Sequence, residues 1–262
     1  MGSSNTAPTP TGSSNKPIRL AILETDVPLP SVDAKYHGYH GVFKSMFERA
    51  LSPTPLDSVL SLTQHNVLNG DTTSYPPLDS IDAILITGSR HNAFGDDDWI
   101  TTLVEYTRKC LSCSPPVRVV GVCFGHQIVG RALGALVDRS DKGWEVSVTE
   151  MRTSQKGVEI FGKETLKLQQ MHRDQVFSLP AGAELLAETD ICANQGFLIP
   201  GKVITVQGHP EFTSYIMNEL LESRKAQGLF TPEIFESGME RNVDDQDGLV
   251  VARGFVKFLQ EQ

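Results

Sequence analysis

The apolar positions come in short bursts whose period changes along the chain. Ile18–Leu23 (IRLAIL) is a mostly apolar run with a β-branched start and predicts a buried strand. In Gly41–Leu51 the spacing becomes helical, with Val42, Met46, Phe47 and Ala50 on one face and Pro53 closing the segment. Asp57–Val67 predicts a second strand with its flanks, and Ile81–Thr87 a buried strand ending at Gly88–Ser89. Trp99–Leu111 is helical through Ile100, Leu103, Val104 and Tyr106, with Asp96–Asp98 as its N-terminal cap. Val117–Val122 (VRVVGV) predicts a buried strand that runs directly into Cys123, and helical periodicity resumes at once from Phe124 to Ala135.

The second half is patterned differently. Trp144–Met151 alternates, as a half-exposed strand does. Short strand-like pieces follow within 166–180, 183–189, 191–199 and 203–212, and Tyr215–Arg224 and Leu249–Gln260 are predicted helices. Strands alternating with helices, then a run of short strands, then helices predict an α/β fold. Its sheet is open, mainly parallel and flanked by helices, with a small antiparallel insertion. No repeat or linker interrupts residues 17–262, which read as one domain. Residues 1–16, almost wholly Gly, Ser, Thr, Asn, Pro and Ala, read as a disordered tail.

Charge and composition narrow the function. Lys+Arg number 23 against 32 Asp+Glu, a net charge of −9. That balance argues against phosphate-backbone binding and against an anionic membrane surface, so neither nucleic acid nor membrane is expected as a partner. No run approaches the roughly 18 apolar residues of a spanning helix, and the N-terminus lacks the apolar centre of a secretory signal. Four cysteines are too few for a disulfide scaffold. The expectation is a cytoplasmic protein with free thiols.

One thiol stands apart. Val119–Ala135 (VVGVCFGHQIVGRALGA) takes a strand into a helix with no loop, and Gly121 and Gly125 flank Cys123 at −2 and +2. So sharp a turn brings those two positions together and requires small residues. The arrangement is the thiol form of the nucleophile elbow. It lifts Cys123 to the carboxyl edge of the sheet, where open α/β sheets bind ligands. It also sets the thiol at a helix N-terminus, which favours thiolate, and aims the Phe124 N–H at a developing oxyanion. A buried cysteine serving only as a small apolar residue is the plain alternative. A nucleophile needs a base, and VITVQGHPEF supplies one: His209 at the end of a predicted strand, with Glu211 two residues on to orient its ring.

GVCFGHQ together with QGHPEF resembles the class I, triad-type glutamine amidotransferases over most of residues 18–220. The resemblance implies that Cys123 attacks a γ-glutamyl amide carbon, with His209 as base and then acid and Glu211 orienting it. It implies an oxyanion hole formed by Phe124 with Gly88 or Ser89, in a segment, ILITGSRHNAFGDDDWI, that resembles the family's oxyanion loop. It places Gln127, the Gly143, Trp144 and Glu145 segment (through its backbone groups) and His172 around the γ-glutamyl group. Where the family often has a Ser-His-like step, this chain has His172–Arg173. No cofactor and no metal is implied.

Other clusters are discounted. Cys110 and Cys113 lie at the end of a helix without a second ligand pair and read as unrelated thiols. Tyr36–His40 reads as a loop bordering the site. Val243–Gly248 lacks the ligands of a calcium loop. No phosphate loop is present, and with the sequence running to Gln262 a fused synthetase is not expected. Three readings stand. The first is a self-contained hydrolase of a small γ-glutamyl amide or peptide, like the γ-glutamyl peptidases that resemble this family. The second is a glutaminase subunit delivering ammonia to a separate synthetase, and the third a non-catalytic binding module. A neighbouring superfamily of small cysteine-elbow proteins ranks low as a fold, because its members generally lack the downstream His-Pro-Glu.

Overall fold

A computed structural model describes residues 16–261, so the expected tail lies outside the described residues except for Lys16. The strands are β1 (Ile18–Glu24), β2 (Leu60–Asn66), β3 (Ala83–Ile86), β4 (Arg118–Val122), β5 (Val137–Arg139), β6 (Glu145–Thr153), β7 (Thr165–His172), β8 (Asp174–Val176), β9 (Glu184–Glu188), β10 (Gly196–Ile199) and β11 (Val203–Val206). The α-helices are α1 (Pro30–Tyr36), α2 (Tyr39–Leu51), α3 (Asp98–Ser112), α4 (Phe124–Ala132), α5 (Gln155–Phe161), α6 (Ser214–Ala226), α7 (Pro232–Arg241) and α8 (Gly248–Gln260).

Nine strands form one sheet in the order β2-β1-β3-β4-β11-β10-β9-β6-β7. From β2 to β11 every pairing is parallel, and from β11 to β7 every pairing is antiparallel. The expected mainly parallel sheet flanked by helices is present. The antiparallel insertion is larger than expected, because four of its strands extend the central sheet, while β5 and β8 pair separately. Side chains of a strand alternate between faces. In β1, Leu20 and Ile22 therefore join Phe43, Phe47, Phe255 and Phe258 on the α2/α8 side. Ala21 and Leu23 join Ile84, Leu103 and Val119 on the α3 side. No helix among the described residues is long and apolar enough to cross a membrane.

Two expectations need correction. The first four residues of β6 are buried rather than alternating. Val146 packs with Phe235 of α7, a helix that the apolar pattern alone does not reveal, although Thr231 caps it and Pro232 opens it. Asp96–Asp98 do not cap α3 through a side chain. The Asp97 carbonyl accepts from Ile100 N at 2.9 Å, and Asp96 turns to Arg131 at 3.0 Å. Helices α1 and α5 also went unpredicted, being only seven residues each.

Candidate active site

Strands β4 and β11 are parallel neighbours, with Val122 paired to Val206. Their carboxyl ends deliver Cys123 and the Gly208–Glu211 segment to one edge. Cys123 is the single residue between β4 and α4, at φ 52° and ψ −104°. That left-handed conformation is costly for a side chain with a Cβ, and its cost is met by the packing around the turn. A Cβ on Gly121 would lie 2.8 Å from the backbone C and O of Gly125, and one on Gly125 would lie 2.2 Å from the Ile86 carbonyl oxygen. The two glycines flanking the thiol thus let three segments of backbone close on it.

His209 is held on every side. Its N–H donates to the Gln169 carbonyl at 2.8 Å. Its ring lies flat on Phe212, 3.9 Å between centroids and 3° between planes. Its Nδ1 donates to Glu211 Oε1 at 2.8 Å, and both side chains are almost wholly buried. That bond leaves Nε2 free, with the Cys123 thiol as an electrostatic neighbour of the ring. Burial alone would push the imidazole's pKa down. Cys123 and Glu211 outweigh it and hold His209 well above the ordinary value of 6.5. Burial pushes the other two buried thiols, Cys110 and Cys192, up to about 12, which keeps them protonated and inert. Cys110 and Cys113 are unbridged.

The N–H groups of Gly88, Ser89 and Phe124 have no hydrogen-bond partner among the described residues. A Cβ on Gly88 would lie 2.6 Å from His209 Cε1 and 3.7 Å from the Cys123 Cβ. Gly88→Ala therefore displaces the imidazole. Displacements near 1 Å cost about 100-fold in well-oriented sites. A loss of that size in any turnover this site supports, with an unchanged melting temperature, is the expected result.

The thiol opens onto a hollow lined by Gln127, Trp144, Met171, His172 and Arg173. A second hollow, lined by Tyr39, His209, Phe212 and Leu220, adjoins it, and Ser89, Arg90, Met171 and Arg224 border both. Of the expected substrate-binding residues, Gln127, Trp144 and His172 line the first hollow. Gly143 and Glu145 do not. Gly143 sits in a turn at φ 85°, and Glu145 is buried behind the wall. There Glu145 accepts from Thr189 and Gln195 at 2.7 and 2.8 Å and lies 3.0 Å from His172 Nε2. Glu145 thus holds His172 in place rather than meeting a ligand. Gln127 is similarly anchored, donating to the Asp174 carbonyl and to Gln207. Of the Tyr36–His40 segment, expected as a loop bordering the site, only His37–Gly38 lie outside helices α1 and α2, and Tyr39, the first residue of α2, reaches the site border.

Sequence reasoning missed Arg90, Arg224, Asp26 and Phe212. The arginines and Asp26 lie on other segments and no local motif marks them. Phe212 was readable as the residue following Glu211.

Beneath the site, His126 is fully buried, and its Nδ1 lies 2.9 Å from the Thr205 hydroxyl. Burial, aided by nearby His172, lowers its pKa from 6.5 to about 3. The folded state then binds fewer protons than the unfolded state between those values, so stability falls as pH drops from about 6.5 toward 3. Urea midpoints measured between pH 7 and pH 4 should fall less steeply in His126→Gln than in the wild type.

A family model described as glutamine amidotransferase class-I matches residues 50–225. A glutamine amidotransferase-like protein of Schizosaccharomyces pombe is 33% identical over 245 residues, covering 92% of this chain and 98% of that protein. Gamma-glutamyl peptidase 3 of Arabidopsis thaliana is 33% identical over 211 residues, covering 78% of this chain and 81% of the relative. The crystal structure of a glutamine amidotransferase from Thermotoga maritima superposes with a TM-score of 0.68 at 18% identity, over 93% of this chain and 99% of that one, a likeness of fold. The matched span, the relatives and the sheet together establish that this chain belongs to the class I glutamine amidotransferase family.

Proposed function

We propose that the protein hydrolyses a γ-glutamyl amide bond, in glutamine or in a γ-glutamyl peptide or conjugate, through a thioester on Cys123. The observation that carries the reading is the thiol at its strained turn with the buried His209–Glu211 pair beside it. The relatives named gamma-glutamyl peptidase support it at the level of the bond cleaved.

The steps follow from the positions. With the Cys123 proton already resting on His209 Nε2, Cys123 Sγ attacks the γ-carbonyl carbon. The carbonyl oxygen gains the electron pair and meets the free N–H groups of Phe124 and of Gly88 or Ser89. As the tetrahedral centre collapses, the C–N bond breaks and His209 passes its proton to the departing nitrogen, leaving a γ-glutamyl thioester. His209 then takes a proton from water, whose oxygen attacks the thioester carbon. Glutamate leaves, and the proton stays on His209 beside the Cys123 sulfur. Glu211 fixes the ring tautomer throughout. Arg173, over the Trp144 ring at 5.0 Å, supplies positive charge for the anionic glutamyl group.

The test is glutamate release from glutamine, glutathione and a panel of γ-glutamyl peptides. Release from peptides identifies a peptidase, and release from glutamine alone identifies the ammonia-supplying subunit. Silence on all of them would leave the ammonia-supplying subunit, inactive without its synthetase, or the binding module.

A further inference from the structure

Four arginines line the two hollows, and three of them are engaged, two by carboxylates and Arg173 by the glutamyl group of the reaction proposed above. Arg90 ion-pairs with Asp26 at 2.8 Å, Arg139 pairs with Asp174 at 3.0 Å, and Arg173 lies over Trp144. Arg224, on α6, is the fourth. Among the described residues no carboxylate lies within ion-pair distance of it. One terminal nitrogen donates to Gln227 Oε1 at 3.2 Å, and its buried Nε has no partner. Burial and neighbouring Arg90 hold this guanidinium below the ordinary arginine range. A half-buried cation without a counterion is unfavourable until an anion arrives, and a guanidinium fork matches a carboxylate.

Position decides which carboxylate. Cys123 lines the first hollow, while His209 lines the second. In the reaction proposed above His209 gives the proton to the departing nitrogen, so the departing group lies on His209's side. There Leu29, Phe212 and Leu220 offer an apolar wall, and Arg224 the charge. We propose that the second hollow is a leaving-group site in which Arg224 binds a carboxylate. The bond cleaved then joins the γ-glutamyl group to the amine of an amino acid or peptide. Ammonia, the leaving group of glutamine, has neither the carboxylate nor the bulk to use this site. The inference rests on the γ-glutamyl hydrolase reading and narrows it. Arg224 also borders the first hollow, where the α-carboxylate of the glutamyl group is the other source of the same charge.

The experiment compares kcat/KM for γ-glutamylglycine and γ-glutamylglycinamide, which differ only in the leaving-group carboxylate. The proteins are the wild type, Arg224→Gln and Arg224→Lys, with glutamine as a third substrate. Charge-assisted hydrogen bonds of this kind predict a wild-type preference for the acid of about tenfold or more. The acid-to-amide ratio should collapse toward one in Arg224→Gln and be partly restored in Arg224→Lys, a change that general damage to the fold would not produce. A wild-type ratio near one overturns the proposal. So does an equal slowing of acid and amide in Arg224→Gln, which would assign the guanidinium to the glutamyl α-carboxylate or to the fold. Glutamate from none of the three substrates removes the underlying hydrolase reading, and the proposal with it.

Discussion

Cys123→Ala releases no glutamate above background, and it is not labelled by a diazo-ketone glutamine analogue that adds one γ-glutamyl-like mass to the wild type. Losing the nucleophile of a coupled set of side chains costs about 10⁶-fold in the best-studied hydrolase series. The loss should be visible without a change of fold. Alanine at this turn bears the same Cβ at the same φ of 52°, so it inherits the strain and removes only the sulfur. Intact-mass spectrometry reads the label, and circular dichroism the fold. Persistent labelling in Cys123→Ala would move the chemistry to another residue and end the assignment.

His209→Asn is expected to lose at least about 10³-fold in turnover, because one ring serves both as base and as acid. Asparagine cannot carry a proton between the sulfur and the departing nitrogen, and it leaves Glu211 buried without its 2.8 Å partner. The same substitution should change the alkaline limb of stability. His209 sits above its ordinary value of 6.5, at about 10, despite burial, because Cys123 and Glu211 favour the imidazolium. A raised folded-state value gives stabilisation that is complete below about 6.5 and fades as pH rises toward 10. The wild type should therefore lose stability across that window, and His209→Asn should not. Turnover in the variant near that of the wild type would mean that another base operates. A matching alkaline loss in the variant would separate the pKa shift from His209.

The sheet and the sharp turn that carries Cys123 could be read from the sequence because both depend on neighbours in the chain. The strand runs Ile18–Leu23 and Val117–Val122 are buried on both faces from Leu20 and from Val119 onward, which leaves an apolar signature interrupted only by Arg19 and Arg118. Gly121, Cys123 and Gly125 declare a turn that only close backbone approach explains. His209 and Glu211 were legible because the residue that orients the ring stands two positions from it. The walls were legible only in part. Asp26, Arg90 and Arg224 come from separate segments and meet only after folding, so no spacing marks them. Glu145 shows the opposite failure. Its segment lies near the site, but whether a side chain faces the ligand or braces the wall depends on Thr189 and Gln195, which belong to a distant stretch. Short helices such as α1 and α5 hold too few turns for a periodic signal.

Strand β11 is where the sheet changes sense, parallel to β4 on one side and antiparallel to β10 on the other. Cys123 and His209, the reacting residues of the proposed hydrolysis, hang from the parallel side and from this seam. Much of the wall of the hollow beside them, including Trp144, Met171 and His172, comes from the antiparallel side. Inheritance can therefore work on the two halves at different rates. Lengthening, trimming or resequencing the β6–β7 hairpin re-cuts the mould for the substrate while the reactive thiol and its base keep their register. A laboratory library confined to that hairpin would sample new specificities from a constant engine.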